Sequence, residues 1–483
     1  MLDSNGNPDL TNPKRTAYFR LHREYDRTGT FNLGKDVGLG EDEISKPFTL
    51  KPGTYYKVRM GTLALDDSFA NDESLSDEEI VRRLPAPTVW AKELASLDPN
   101  TAEAVFRTDI EGNADKLSFL IGSCRYPGLL WGKKNADKIF KPILDHLSNN
   151  PYGEDPKFIL MVGDQIYADM LNRLVPIGLA DTYEEFQDRY HQAFGSRNMR
   201  RLLRNIPTYM ILDDHEIEDN WTQDRIGKSS KKRLIFNLAM GAYMSYQWSH
   251  GPRNYADRLF YNFEHAGFPF FTIDVRTQRF KDAEFGLKDN HLLGRPSFDP
   301  INEPTQLNHL CNWLSDQQEK NGNRPKFITS SSVFVPNQVI TVKSDKQKDN
   351  SDSWSAFPQT RKTLLKHIVD NNIQNVVFLS GDIHNSNVAE IDFSGNTSAK
   401  NLKAFSITSS AFYWPFSFAD GEPSNYVHDS KKQGDTFTID EETGVNMDYK
   451  ARSFTQKDNF CQVNINWPKK ELKVRAIDQK GNL

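Results

Sequence analysis

The sequence predicts an α/β fold, and three features carry that expectation. Short apolar runs stop abruptly at glycine or at a polar cluster, as Phe158-Ile159-Leu160-Met161-Val162 does before Gly163; strands buried on both faces have this texture. Segments with helical apolar spacing stand between these runs, so strand and helix alternate. Two further extended runs, 461–467 and 472–478, flank Pro468-Lys469-Lys470-Glu471 and read as an antiparallel hairpin.

Taken in order, residues 1–15 are polar and rich in Asn, Asp and Pro, which predicts a disordered or draped terminus. Residues 16–115 hold extended runs such as Tyr55-Tyr56-Lys57-Val58-Arg59-Met60 between turn residues, and read as a small β-rich N-terminal domain. The acidic stretch 66–79 reads as a solvated loop leading into a helix. From 116 to 483 one large domain is expected. Its first strand is Leu117 to Ile121. A helix follows around 135–149, with Ile139, Ile143, Leu144 and Leu147 on one face and Pro142 as a kink point. Strands are expected at Phe158–Val162, Tyr209–Leu212, Phe268–Asp274 and Phe327–Ser332, with helices near 182–205. Arg361 to Asn372 reads as a helix with Leu364, Leu365, Ile368 and Val369 on one face, leading into Val376-Val377-Phe378-Leu379. Loops at 343–353 and 420–435 are polar.

Composition narrows the function classes. Of 483 residues, 60 are basic and 65 acidic, a formal charge of −5, so no nucleic-acid duplex binding is expected. The longest apolar run has five residues, far short of the roughly 18 a membrane span needs, so no transmembrane segment is expected. The first twenty residues lack the apolar stretch of a secretory signal. Cytoplasmic residence is therefore expected of the sequence as given, and periplasmic or secreted residence if it is a processed form. Three cysteines, Cys124, Cys311 and Cys461, make no disulfide framework. Oligomeric state leaves no mark in the sequence.

Four of the buried runs end in residues that bind metals. They are Gly122-Ser123-Cys124-Arg125, Gly163-Asp164-Gln165-Ile166-Tyr167-Ala168-Asp169, Asp213-Asp214-His215-Glu216-Ile217-Glu218-Asp219-Asn220, and Gly381-Asp382-Ile383-His384-Asn385. Each alone has an ordinary explanation. Gly-Asp after a strand is a turn, a lone Cys is a small buried hydrophobe, and acids at a helix start answer the macrodipole. Together they point elsewhere. In α/β sheets ligands bind outside the carboxyl ends of strands, and carboxylates crowded there repel one another unless a cation is present.

As a set, in order and spacing from about residue 116 to the end, these segments resemble the PhoD-like (alkaline phosphatase D) family of metallophosphatases. The strand Phe271 to Arg276, Asp352-Ser353-Trp354 and Asn459-Phe460 add to the likeness. The resemblance implies a calcineurin-like core, a two-sheet β-sandwich flanked by helices, with metals at its carboxyl edge. It implies Asp164 as a carboxylate bridging two metals, with Tyr167, Cys124 and His384 on one ion and Asp214 and Asp382 on the other. It places His215 beside the leaving group, as ligand or acid, and implies Fe(III) with Ca(II), other divalent ions such as Zn, Mn or Co being compatible. Asp169 is either a further calcium ligand or a loop cap.

The chemistry implied is hydrolysis of a small phosphate ester, monoester or diester, by a metal-activated water at a dinuclear centre. Thiolate, tyrosinate and imidazole suit a Lewis-acidic iron or zinc, and carboxylates suit a harder calcium or manganese. Arg125 is the expected cation for transition-state charge, with a loop-closing salt bridge as its ordinary alternative; Arg276 is a second candidate. Tyr413, Trp414 and Phe416 read first as core packing and second as an aromatic rim. Two other functions compete. A mononuclear non-haem iron oxygenase would use Asp382, His384 and His215, and a metal-stabilised binding protein would use the same ligands without turnover.

Overall fold

A computed structural model of the chain describes residues 16–22, 25–32, 38–39, 50–63, 75–128, 134–151, 153, 155–169, 178–281, 289–339, 352–395, 397–416 and 422–483. The polar terminus 1–15 lies outside them, as do most of the acidic stretch 66–79 and of the loop 343–353. The chain divides into two compact units, residues 1–111 with 203–207, and residues 112–202 with 208–483.

In the first unit, β1 (Tyr55–Arg59) and β2 (Glu103–Arg107) form a two-stranded antiparallel sheet. The other described elements are helices at Asp77–Val81, Pro87–Ser96 and Pro99–Ala102. The run read as strand is β1, but among the described residues helix outweighs the β-rich content expected here. The start signals explain it: Ser76 and Glu79 form a capping box, and Pro87 occupies the first turn of the next helix.

The second unit holds β3 (Lys116–Gly122), β4 (Ile159–Val162), β5 (Thr208–Ile211), β6 (Tyr261–His265), β7 (Phe268–Thr272), β8 (Lys326–Thr329), β9 (Val376–Ser380), β10 (Ser386–Ser394), β11 (Lys403–Thr408), β12 (Phe437–Asp440), β13 (Val445–Thr455), β14 (Asn459–Asn466) and β15 (Glu471–Asp478). One sheet has the order β15-β14-β3-β4-β5, the other β12-β13-β10-β11-β9-β8-β7-β6. β3, β4 and β5 are parallel, as are β7, β8, β9 and β11. The C-terminal hairpin forms as expected, with Asn466 opposite Glu471. The strands β6 and β10 to β13 were not anticipated, although Ser386–Ser394 alternates buried and exposed residues over most of its length.

Side chains from both sheets meet in one cluster. Phe119, Leu160, Val162 and Val463 come from the first, and Phe270, Phe327, Val377 and Leu379 from the second. Phe119 sits edge-on to Phe270 and Phe327 at 5.4 and 5.6 Å, and its truncation to Ala would cost about 3–5 kcal/mol. A second cluster packs helices Gln306–Asn321 and Pro358–Asp370 on the eight-stranded sheet. A third joins helices Tyr183–Phe194 and Ser230–Tyr246 to the segment after β5. The helix expected from 135 begins at Phe140. That puts Pro142 in its first turn, where the missing N–H costs nothing and no kink is required. No helix among the described residues is long and apolar enough to cross a membrane.

Candidate metal centre

The four motifs follow β3, β4, β5 and β9 directly, at the carboxyl ends of strands from both sheets. Main-chain bonds carry the β3–β4 pairing past the strand ends: Cys124 N donates to Gly163 O (3.2 Å) and Arg125 N to Asp164 O (2.8 Å). Two glycines permit the close approach of neighbouring loops. A Cβ on Gly163, whose φ is +93°, would lie 2.4 Å from Asp213 Cβ, and one on Gly381 would lie 2.3 Å from Ser123 Oγ. Cys124, Asp164, Asp382 and His384 all have left-handed backbone, with φ of 55°, 54°, 71° and 51°. Each such residue costs roughly 1–2 kcal/mol, and this kind of cost concentrates where function requires a particular side-chain direction.

The strained turns aim their side chains at one another. Cys124 Sγ is 3.4 Å from Asp164 Oδ2 and 3.6 Å from the Asp382 carbonyl oxygen. Tyr167 Oη donates to Asp164 Oδ2 at 3.3 Å. Ligand atoms of Cys124, Asp164 and His384 lie within 4.8 Å of one another; so do those of Asp164, Asp213, Asp214 and Asp382, and those of Asp164, Asp214 and His215. Asp164 belongs to every group. Its Oδ1 is buried without a hydrogen-bond partner, as is Asp213 Oδ2. Orphaned carboxylate oxygens among other carboxylates are costly, and a cation satisfies them, so the residues present fit a metal. The protein alone resists ionising them. Burial pushes the Asp164 carboxyl well up, with Asp213, Asp214 and Glu216 adding to it and His215 opposing. Burial, then Asp164, does the same to the Cys124 thiol and the Tyr167 phenol.

The carboxylates have fixed supports. Arg276 is fully buried, bonds Asp213 through Nε, lies 3.4 Å from Asp214 Oδ1 and forks onto both oxygens of Asp352. Glu216 accepts the backbone N–H groups of Asp164 (3.1 Å), Gln165 (2.6 Å) and Asp213 (2.8 Å), tying the loops after β4 and β5 together. Asp169 accepts from His215 Nδ1 at 2.7 Å and from Asp219 N at 2.6 Å, so it too ties the loops after β4 and β5 together. Burial alone would depress His215, but Asp169, Asp214 and Asp164 outweigh it and raise its pKa well above the usual value. Rings line the opposite side. Tyr167 stacks on His215 at 4.2 Å and Trp414 on His384 at 3.7 Å, so Trp414 does more than pack a core.

Six expected ligands and His215 are thus gathered in one place. Arg125 is the exception. Its Nη2 bonds Ser196 (3.3 Å), its guanidinium lies 5.8 Å from the Phe140 ring centroid, and among the described residues it pairs with none of the site carboxylates. The oxygenase triad is not assembled either, because His384 and His215 fall in separate groups. Sequence reasoning left Asp213 and Glu216 without roles. Both stood inside a quoted motif, but nothing local distinguishes a ligand from a bracket.

Alkaline phosphatase D of Bacillus subtilis (strain 168) is 21% identical over 286 residues, covering 57% of this chain and 47% of that protein. The chain thus spans about half the length of the curated relative it matches. A solved structure titled "Structure of PhoD" is similar with a TM-score of 0.48 and 16% identity, over 78% of this chain and 73% of that chain. The PhoD-like phosphatase family matches residues 136–472, more than half of the chain. With its four motifs gathered at the strand ends, the chain belongs to the PhoD-like phosphatase family.

Proposed function

We propose that the chain is a metal-dependent phosphoesterase in which Asp164 and its neighbours would hold two ions. The observation that carries this reading is the sharing of Asp164 between a Cys–His group and a carboxylate group. Cys124, Tyr167 and His384 would hold one ion and Asp214 and Asp382 the other. That donor split suits Fe(III) with Ca(II), zinc, manganese or cobalt being compatible. The charges balance: Cys124, Asp164, Tyr167, Asp214 and Asp382 supply five negative charges against five on the ions, while Arg276 answers Asp213. When bound, the ions supply Lewis acidity toward phosphoryl oxygens and acidify a water. His215, kept protonated and oriented by Asp169, then donates to the leaving oxygen. Arg125 has no step in this scheme. The two facing sheets with outer helices are read as a calcineurin-like sandwich, residues 116–483 as the catalytic domain and 16–115 as a separate small domain.

Elemental analysis should find two metal ions per chain. Hydrolysis of a chromogenic phosphate monoester and the matching diester should fall by on the order of 10³-fold or more in Asp164→Ala. Turnover undiminished by that substitution would remove the mechanism. One iron per chain with 2-oxoglutarate turnover would replace it with the oxygenase.

A further inference from the structure

We propose that Tyr126 touches the substrate, its hydroxyl donating a hydrogen bond to the leaving-group oxygen of the bound phosphate ester. The assignment rests on the phosphoesterase reading. Tyr126 is 1% exposed, and its Oη is buried with no hydrogen-bond partner. A buried tyrosine ordinarily finds a partner for its hydroxyl, so an orphan in a native site asks for an explanation.

The ring cannot swing to find one. It is held edge-on against Tyr167 (5.1 Å), Trp414 (5.5 Å) and Phe416 (5.3 Å), and its backbone N–H is tied to Tyr413 O at 3.1 Å. Tyr167 and Trp414 are the rings stacked on His215 and His384, so Tyr126 belongs to the wall of the site. Its environment also fixes the side of the site it serves. Tyr167, which Tyr126 meets edge-on, is stacked on His215, and His215 Nδ1 is bonded to Asp169. Tyr126 therefore stands one ring away from His215, in the pair assigned to the leaving group.

The chemistry follows from that placement. As the P–O bond breaks, negative charge grows on the leaving oxygen, and a fixed neutral donor gains strength as it does so. His215 transfers the proton; Tyr126 transfers none. The benefit is greatest for alkyl esters, whose leaving oxygen takes the most charge, and least for nitrophenyl esters.

The test is Tyr126→Phe in the metal-loaded protein. Expected is a fall of roughly 10- to 100-fold in kcat/KM for an alkyl phosphate, and of only a few-fold for the 4-nitrophenyl ester. Metal content should be unchanged and Tm unchanged or slightly higher, because removing an unsatisfied buried hydroxyl relieves the fold. Wild-type turnover of both esters, or equal losses on both, would overturn the assignment. A Tm lowered by several degrees would overturn it too, by showing that the hydroxyl has a partner within the fold. A wild-type protein that hydrolyses no phosphate ester would overturn the functional reading and this assignment with it; an active wild type with an indifferent variant overturns the assignment alone.

Discussion

Asp164 shares one group of ligand atoms, the carboxylate side, with Asp213, Asp214 and Asp382, and another, the thiol side, with Cys124 and His384, where it also accepts from Tyr167. The two sides are held by different forces. On the carboxylate side the problem is an excess of buried negative charge, answered by one fixed cation, Arg276, and by the bracket of Glu216 across two loops. On the thiol side the problem is direction. The candidate donors there are held at fixed angles by stacked rings, Tyr167 on His215 and Trp414 on His384. Substitutions on the first side should therefore act on stability and assembly, and those on the second on orientation and rate.

The largest expected effect tests the first half of that contrast. Arg276→Met leaves Asp213, Asp214 and Asp352 without the charge that joins them. Breaking a buried pair from one side typically costs about 3–5 kcal/mol. The denaturant midpoint should drop accordingly, and a second change, Asp213→Asn, should restore part of it. A midpoint that does not move would show that charge balance is not what holds the carboxylate side.

The contrast also explains how much of the site was legible in the sequence. Residues placed at the cluster by a strand end could be read, because a buried run followed by Gly and a ligand type marks its own position: Cys124, Asp164, Asp382 and His384 are of this kind. Supports that come from elsewhere in the chain could be named as candidates, but their partners could not. Arg276 reaches Asp213 across 63 positions and from the other sheet, and Trp414 meets His384 only because the loop after β11 returns to the site. Arg125 shows the converse. It follows Cys124 in sequence, but Cys124 is left-handed and the Arg125 guanidinium ends on Ser196. The fold shows the same division. Continuous apolar runs marked β3, β4 and β9, while the alternating β10 and β13, each with one face toward solvent, were passed over for want of a buried run.

On the aromatic side, Asp458 offers a pH-dependent test. It accepts the backbone N–H of Trp414 at 2.9 Å, and burial raises its carboxyl to about 6 against hydrogen bonds from Trp414 and Gln479 that lower it. A carboxyl raised in the folded state contributes stability that is fully present below its unfolded pKa near 4 and lost as pH rises through 6. From a shift of about two units, that loss is about 3 kcal/mol. Asp458→Asn should therefore gain on the wild type between pH 4 and pH 7, read as a widening gap between urea midpoints. A gap of equal size at both pH values would mean that Asp458 ionises freely and does not constrain the turn bearing Trp414.

Glu216→Gln is the mildest change and separates the two sides most finely. The carboxylate receives three backbone N–H groups and Gln247 Nε2 (3.3 Å), and Gln247 is itself held by Tyr190 at 2.6 Å. An amide of the same shape must turn its NH₂ toward a backbone N–H, so one loop loses its anchor while the fold keeps its volume. Groups that orient metal ligands without touching the metal commonly change affinity by about 10- to 100-fold when replaced. Asp164 and Asp213 are the tethered residues, and both lie in the carboxylate group. If the centre holds two ions as proposed, the one on that side should be lost first to a competing chelator, while any thiolate- or tyrosinate-to-metal absorption from the other side persists. Equal weakening of both ions would show that Asp164 transmits every displacement across the bridge, and that the two sides, though built differently, respond as one.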